Sequence, residues 1–362
     1  MRPQIVMVGA FPPPVHGMAV VNAAVREQLR QAGGVEPLVV DLAASSLDRS
    51  LVARLVRLPK VLRGLVSLAS ARGLRGRTLY MSVSGGLGQL YELAFLSLAR
   101  LWGMRVFLHH HSFAYLDARS WLTRWLVHFA GEHAVHITQS QKMAERLKTV
   151  YGAICVVPVS NAVFLVSANP TAPVRRRLET LGFLSNIAPE KGVFEFLDLC
   201  AAVQEKGLPL RARLAGPFQD GETEKAVRKR LAALPAVEYV GPRYGVEKDA
   251  FYAGIDVLSF PTRYENETEG IVNHEAMSRG IPVIAYGRGC IPEIVGPDCG
   301  LVVDPAAPFV PEALAQIETW LSDPTAFEAA SKAAVQRFTN GYAENAERWA
   351  GLLVEIAGSR GR

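Results

Sequence analysis

Short apolar runs alternate with longer amphipathic ones along most of the chain. QIVMVGA, PLVVDL, TLYMSVS, MRVFLHHH, HAVHITQS and ICVVPVSNAV have strand length, and stretches such as MAVVNAAVREQLRQAGG between them suit helices. This rhythm predicts an α/β fold, a parallel sheet with helices on both faces. It stops around LVSANPTAPVRRRLET, residues 165–180, which has two prolines and little apolar periodicity. A second series follows: LGFLSNI, LRARLAGPF, VEYVGPR, DVLSFPT, IPVIAYG and CGLVVD. Two Rossmann-like halves predict a deep cleft between domains, with ligands at the carboxyl ends of the strands.

Composition adds a little to this picture. A length of 362 residues exceeds what one core usually supports, and 49% apolar residues are enough for two. The net charge of +5 favours an anionic partner such as a nucleotide, a lipid head group or a nucleic acid, among which composition alone does not choose. Cys155, Cys200, Cys290 and Cys299 lack the spacings of a zinc or redox motif and suit a reducing compartment. The apolar run near the N-terminus is too short for a secretory leader, and no segment is long and uncharged enough to span a bilayer. A cytoplasmic protein is expected, peripheral on the inner face of the plasma membrane if it touches lipid.

The chemistry concentrates in ETEGIVNHEAMSRGIPVIAYG, where Glu267 and Glu275 adjoin apolar sequence that reads as a helix leading into a buried strand. A carboxylate accepts two hydrogen bonds from vicinal hydroxyls, so polyol binding accounts for acids in such a place. Solvated helix residues or cap acids are the plainer alternative. The amides around Gly270, Ile271 and Val272 fall at a helix N-terminus, which favours a phosphate.

This stretch resembles the donor-binding signature of the retaining glycosyltransferases of family 4, which have the two-domain GT-B fold. In that family two glutamates separated by seven residues precede a helix and a G-x-P-V strand; here these are Glu267, Glu275, Gly280, Pro282 and Val283, with Glu293 in the next loop. The resemblance implies that Glu275 holds the ribose hydroxyls of a nucleotide, that Glu267 lies at the transferred sugar, and that Thr268 belongs to the donor-binding set. LSNIAPEKG resembles the family's phosphate-binding stretch, with Lys191 at its lysine and Asn186 where the family usually has arginine. Arg263 is a candidate substitute, on a loop two residues longer than usual that makes Glu265 an alternative to Glu267. GPRYGVEKDAFYAGIDV resembles the segment beneath the base, which assigns Arg243 and Tyr244 to donor binding.

In the first half, FPPPVHGMAVVN resembles the family's first strand-to-helix loop, with Gly17 near the donor phosphate and His16 in place of a second glycine. FLHHHSFAYLD ends a predicted strand, and by resemblance His110 or His111 lies close to the sugar; a structural histidine is the alternative. Adjacent residues on a strand point to opposite faces, so the three histidines are not expected to bind a metal. Tyr115, Trp121 and Trp125 are either acceptor-side or core residues.

From Arg49 to Arg77 the sequence contains no acid: Arg54, Arg57, Lys60 and Arg63 alternate with Leu51, Val52, Leu55, Val56, Val61, Leu62 and Leu65. Such a segment suits an anionic membrane surface, and Pro59 predicts two helical pieces; a helix packed on the sheet with solvated charges is the alternative.

The expectation is thus a GT-B enzyme with an acceptor-binding domain over 1–168, a donor-binding domain over 169–338 and a helix over 339–362 returning to the first domain. It would be a retaining hexosyltransferase in bacterial-type polysaccharide or glycolipid assembly. Its donor would be a nucleotide sugar and its acceptor a glycan or lipid-linked molecule, with no cofactor, no obligatory metal and no nucleic acid partner. Catalytic roles fall to Glu267, His110 and Lys191. A nucleotide-sugar epimerase and a non-catalytic membrane-associated binder are the alternatives; a dinucleotide dehydrogenase is disfavoured because the first loop lacks G-x-G-x-x-G.

Overall fold

The computed structural model describes residues 5–13, 17–34, 36–43, 58–71, 73–166 and 172–358. The chain forms two compact units, residues 1–165 with 344–362 and residues 166–343. The helix Pro324–Ala357 runs through the sequence position where one unit passes to the other, so the transition falls inside a continuous helix.

The first unit has strands β1 (Ile5–Gly9), β2 (Leu38–Asp41), β3 (Thr78–Val83), β4 (Arg105–His110), β5 (Val135–Thr138) and β6 (Cys155–Pro158). They form one parallel sheet in the order β2-β1-β3-β4-β5-β6. Every residue of β1 and β3 is buried, which explains their near-continuous apolar sequence. The chain reverses direction across the sheet after β2, so the loops after β1 and β3 start from neighbouring strand ends. The C-terminal helix packs on this unit. Trp349 Nε1 donates to Gln28 Oε1 at 2.5 Å, and Thr78 Oγ1 donates to the Ile356 carbonyl at 2.9 Å.

The second unit has β7 (Thr180–Leu184), β8 (Arg211–Ala215), β9 (Val237–Gly241), β10 (Val257–Phe260), β11 (Val283–Tyr286) and β12 (Gly300–Val303). Its parallel sheet is ordered β12-β11-β10-β7-β8-β9. All twelve strands fall on the apolar runs that predict them. The reversal here lies between β7 and β10, so the loops after residues 184, 260 and 286 begin side by side. Beneath them, Phe183, Phe196, Ile284 and Phe309 belong to one buried apolar cluster that fixes the strand ends.

Of the acid-free segment 49–77, Leu51, Val52, Arg54, Leu55, Val56 and Arg57 lie outside the described residues. The described helix is Leu58–Ser70, with Pro59 in its first turn, where the missing N–H costs nothing. It buries Val61, Gly64 and Leu68. Lys60 donates to the Ala43 carbonyl at 3.3 Å and lies 3.5 Å from Asp41, a pairing that the local sequence does not reveal.

Candidate functional site

Three loops at neighbouring strand ends of the second unit build the site. The first carries Asn186, half-buried, and a single 3-10 turn Pro189–Lys191. The second, residues 261–270, follows β10. The third, residues 287–290, follows β11.

The backbone of loop 261–270 is tied down on both sides. Arg263 N donates to the Glu190 carbonyl at 2.9 Å, joining it to the first loop. On the other side, Arg288 Nε donates to the Tyr264 carbonyl at 3.1 Å, Arg288 Nη2 to that of Glu265, and Cys290 N to that of Thr268 at 2.7 Å. Gly289 makes this approach possible. Its φ is +59°, and a Cβ there would come within 2.6 Å of the Glu267 and Thr268 carbonyl oxygens.

These ties aim Glu267 at Lys191. Lys191 Nζ lies 2.6 Å from Glu267 Oε2 and 4.2 Å from the centre of the Tyr264 ring. Glu267 Oε1 accepts from Gly270 N at 3.2 Å, so the carboxylate also closes the turn into the helix Ile271–Met277. Gly270 has φ +58°, and a Cβ would meet Phe260 at 2.4 Å, so the turn needs glycine there. Glu265, the alternative acid, is exposed. Thr268 is buried, and Ile271 and Val272 are half-buried.

Glu275 is on the same short helix and only 5% exposed. Lys248 Nζ donates to its Oε1 at 2.5 Å and Tyr252 Oη to its Oε2 at 2.8 Å. Both donors come from the helix Gly245–Ala253, which the sequence marks only as a segment beneath a base. Burial, and then the neighbouring Glu275 charge, hold the Tyr252 hydroxyl well above its ordinary pKa, so it stays a donor. Arg279 covers the Tyr252 ring at 4.9 Å and donates to the Glu275 carbonyl at 2.7 Å. Each of the two carboxylates beside apolar sequence thus has a cation from a different segment.

Sequence reading also missed Glu269, buried at 3.3 Å from His274 Nε2. Its place beside Glu267 in ETEG gave no sign of which acid turns inward. Arg263, the candidate substitute cation, donates to the Tyr286 hydroxyl at 2.5 Å and the Pro305 carbonyl at 2.9 Å, and it stacks on the Tyr286 ring at 4.1 Å. Arg243 pairs at 3.7 Å with Glu247, and Tyr244 is exposed at the start of the helix Gly245–Ala253.

In the first unit, Gly17 begins the helix Gly17–Gly33 with open space around it; His16 lies outside the described residues. The histidines alternate across β4 as strand geometry demands. His109 and His111 rings approach to 4.2 Å on one side, and His110 turns to the other. His110 is fully buried; its Nδ1 is 2.8 Å from Tyr115 Oη and its Nε2 2.9 Å from His136 Nδ1. Burial holds His109 and His110 well below the ordinary histidine pKa and brings His136 to about 4, so these rings are neutral near pH 7. His111 is half-buried, with Gln139 Nε2 at 3.2 Å from its Nδ1. Tyr115 is core, whereas Trp121 and Trp125 are exposed.

Residues 173–337 match the family model of glycosyl transferases group 1. Sulfoquinovosyl transferase SQD2 of Arabidopsis thaliana is 36% identical over 164 residues, 42% of this chain and 31% of that protein. A GDP-mannose-dependent alpha-mannosyltransferase of Mycobacterium tuberculosis is 32% identical over 141 residues, covering 38% of this chain and 34% of its own. The chain spans about a third of the length of these curated relatives. Among solved structures, sucrose-phosphate synthase from Thermosynechococcus elongatus superposes with a TM-score of 0.73 at 18% identity, covering 98% of this chain and all of that one. HepE of Anabaena, solved in complex with UDP, gives 0.70 at 18% identity with the same coverage. The fold is that of the GT-B glycosyltransferases. The second unit carries a glycosyl transferases group 1 domain.

Proposed function

We propose that this chain is a retaining glycosyltransferase of family 4 that moves a hexose-type sugar from a nucleoside diphosphate onto a glycan or lipid-linked acceptor. The observation that carries the reading is the joint placement of Lys191, Glu267 and Gly270 at neighbouring strand ends, with Glu275 on the helix that follows. Its support from similarity is that the matched relatives are glycosyltransferases, and that HepE structures were solved with UDP and with UDP-glucose.

In this reading Glu275 holds the ribose diol. Lys248 and Tyr252 occupy one lone pair on each oxygen and fix the carboxylate's plane, leaving the remaining lone pairs for two hydroxyls. Lys191 turns from Glu267 towards the diphosphate and balances the charge of the leaving group, and Glu267 orients the sugar. The leaving phosphate takes the acceptor proton on the same face, so the protein's main work is positioning and charge stabilisation. No divalent metal is required, because Lys191 and backbone amides take its place.

Thermal stabilisation by a panel of nucleoside diphosphates, with and without EDTA, tests the donor site. Selective stabilisation by one base, unaffected by EDTA and lost in Glu275→Gln, is the expected result. Retention is tested by the anomeric configuration of the product from a defined donor. A non-catalytic nucleotide-sugar binder is the second reading, favoured by Asn186 and by the engagement of Arg263 with Tyr286 and Pro305. Binding without donor consumption across a panel of acceptors would select it.

A further inference from the structure

Three helices of the first unit lie side by side on the sheet: Leu58–Ser70 packs against Gln89–Leu101, which packs against Trp121–Ala130. Each buries one apolar face and exposes another. On Trp121–Ala130, Leu122, Leu126, Val127 and Ala130 point inward. Trp121, Trp125 and Phe129 point outward at helical spacing, 64%, 49% and 46% exposed. This stripe is about 12 Å long, with the Trp125 and Phe129 rings 5.7 Å apart. On Leu58–Ser70 the same spacing exposes Leu58, Leu62 and Val66. Leu90 and Leu101 are exposed on the helix between them.

The charge on this layer has one sign. Between residues 49 and 131 the sequence has two acids, Glu92 and Asp117. Glu92, the only acid in the three helices, is buried. The exposed charges on them are cationic: Arg63, Arg100 and Arg124, together with Lys60, which lies 3.5 Å from Asp41.

We propose that this helix layer rests on an anionic lipid bilayer, with Trp121, Trp125 and Phe129 inserted at head-group depth. Amphipathic indoles favour the membrane–water boundary, and flanking cations meet anionic head groups. No described helix is long and apolar enough to cross a membrane, so the contact lies along the surface. Charge argues against a second copy as the occupant: a two-fold contact through this face would set cations against cations. The helix Leu58–Ser70 thus marks one edge of a wider surface whose aromatic anchor is a different helix. The inference rests on exposure and charge in the first unit, independently of the donor-site reading.

The test is flotation of the full chain with phosphatidylcholine vesicles, with and without phosphatidylglycerol. Association with the anionic vesicles alone, weakened by salt, is expected. Tryptophan emission should shift to the blue and be quenched by brominated lipid. Trp121→Ser with Trp125→Ser should abolish the quenching, and Arg124→Glu should lower partitioning about tenfold or more, with Arg124→Lys restoring it. If the double variant fails to fold by circular dichroism, the Arg124 pair and the wild-type quenching decide. Equal binding to neutral vesicles, unchanged binding by the variants, absence of binding, or a dimer that the variants dissolve would each overturn the proposal. Nucleoside diphosphate stabilisation is expected to be unchanged in these variants, so failure here is distinct from failure of the donor site.

Discussion

Lys191 and Glu267, 76 residues apart in sequence, form a largely buried ion pair at 2.6 Å beneath the ring of Tyr264. The pair joins the two loops that the proposed donor would touch. In the proposed reading, a phosphate arriving at Lys191 would compete with Glu267, which would give the two acids of the motif different work.

Glu267→Gln is expected to leave nucleoside diphosphate affinity within about threefold, because the amide oxygen still accepts from Lys191. Transfer should fall by about a hundredfold or more, since the sugar loses a charged partner. Glu275→Gln should instead raise the nucleotide Kd about tenfold or more. Calorimetric titration and donor turnover separate the two, and equal affinity losses would refute the division of roles.

Tyr252→Phe removes a hydrogen bond to the buried Glu275 carboxylate while keeping the ring. An unmet partner of this kind costs about 1–3 kcal/mol. The melting temperature of the second unit should drop by several degrees and nucleotide affinity should weaken. Arg279→Ala, which uncovers the ring but spares the hydrogen bond, should affect affinity less.

Gly289→Ala touches no proposed ligand, yet it places a methyl group against the Glu267 and Thr268 carbonyls at φ +59°. The left-handed backbone alone costs about 1–2 kcal/mol for alanine. Loop 261–270 must move, so nucleotide stabilisation should be lost with the sheet intact by circular dichroism.

Glu92 is fully buried beneath the Ser84 loop, with Oε1 accepting from Ser84 N at 2.9 Å and Oε2 unpartnered among the described residues. Burial raises its pKa from 4.5 to about 7. The folded state therefore holds this proton over a range where the unfolded chain has lost it. The stabilisation is complete below pH 4.5 and is lost as pH rises through about 7. Glu92→Gln should flatten that decline and be the more stable protein at pH 8, by an amount on the order of 3 kcal/mol, in denaturant titrations across pH.

His136 runs the other way. Its folded pKa is about 4 against an ordinary 6.5, because burial penalises the imidazolium. Its contribution is present above pH 6.5 and is lost as pH falls through 4. His136→Asn should be less stable at pH 7 but show a shallower acid transition. An unchanged acid slope would assign acid sensitivity to other groups.

The strands were legible because each is a local signal. A strand buried on both faces must be apolar along its length, as β1 and β11 are, whereas the partly buried RARLA and VEYVG carry Arg211, Arg213 and Glu238 and are legible by their remaining apolar positions. The motif around Glu267 and Glu275 was legible for a related reason, since loop, turn glycine and helix are contiguous in the chain. The neighbours that give those residues their chemistry were not. Lys248 and Tyr252 come from a segment whose local sequence offers no reason to approach Glu275. Likewise, HHHSFAY does not say that His110 is enclosed by Tyr115 and His136.

The helix WLTRWLVHFA shows the boundary between the two kinds of information most plainly. It is apolar on both faces, so periodicity predicts a helix but cannot tell which face is covered. Neighbouring helices and the sheet cover Leu122, Leu126 and Val127 and leave Trp121, Trp125 and Phe129 outside. The sequence by itself determined the two α/β sheets and the motif at the end of β10, because these depend on residues near one another in the chain. Only the tertiary structure decided which acid meets which cation and which aromatic face meets solvent, because those outcomes depend on segments brought together by the order of strands in each sheet.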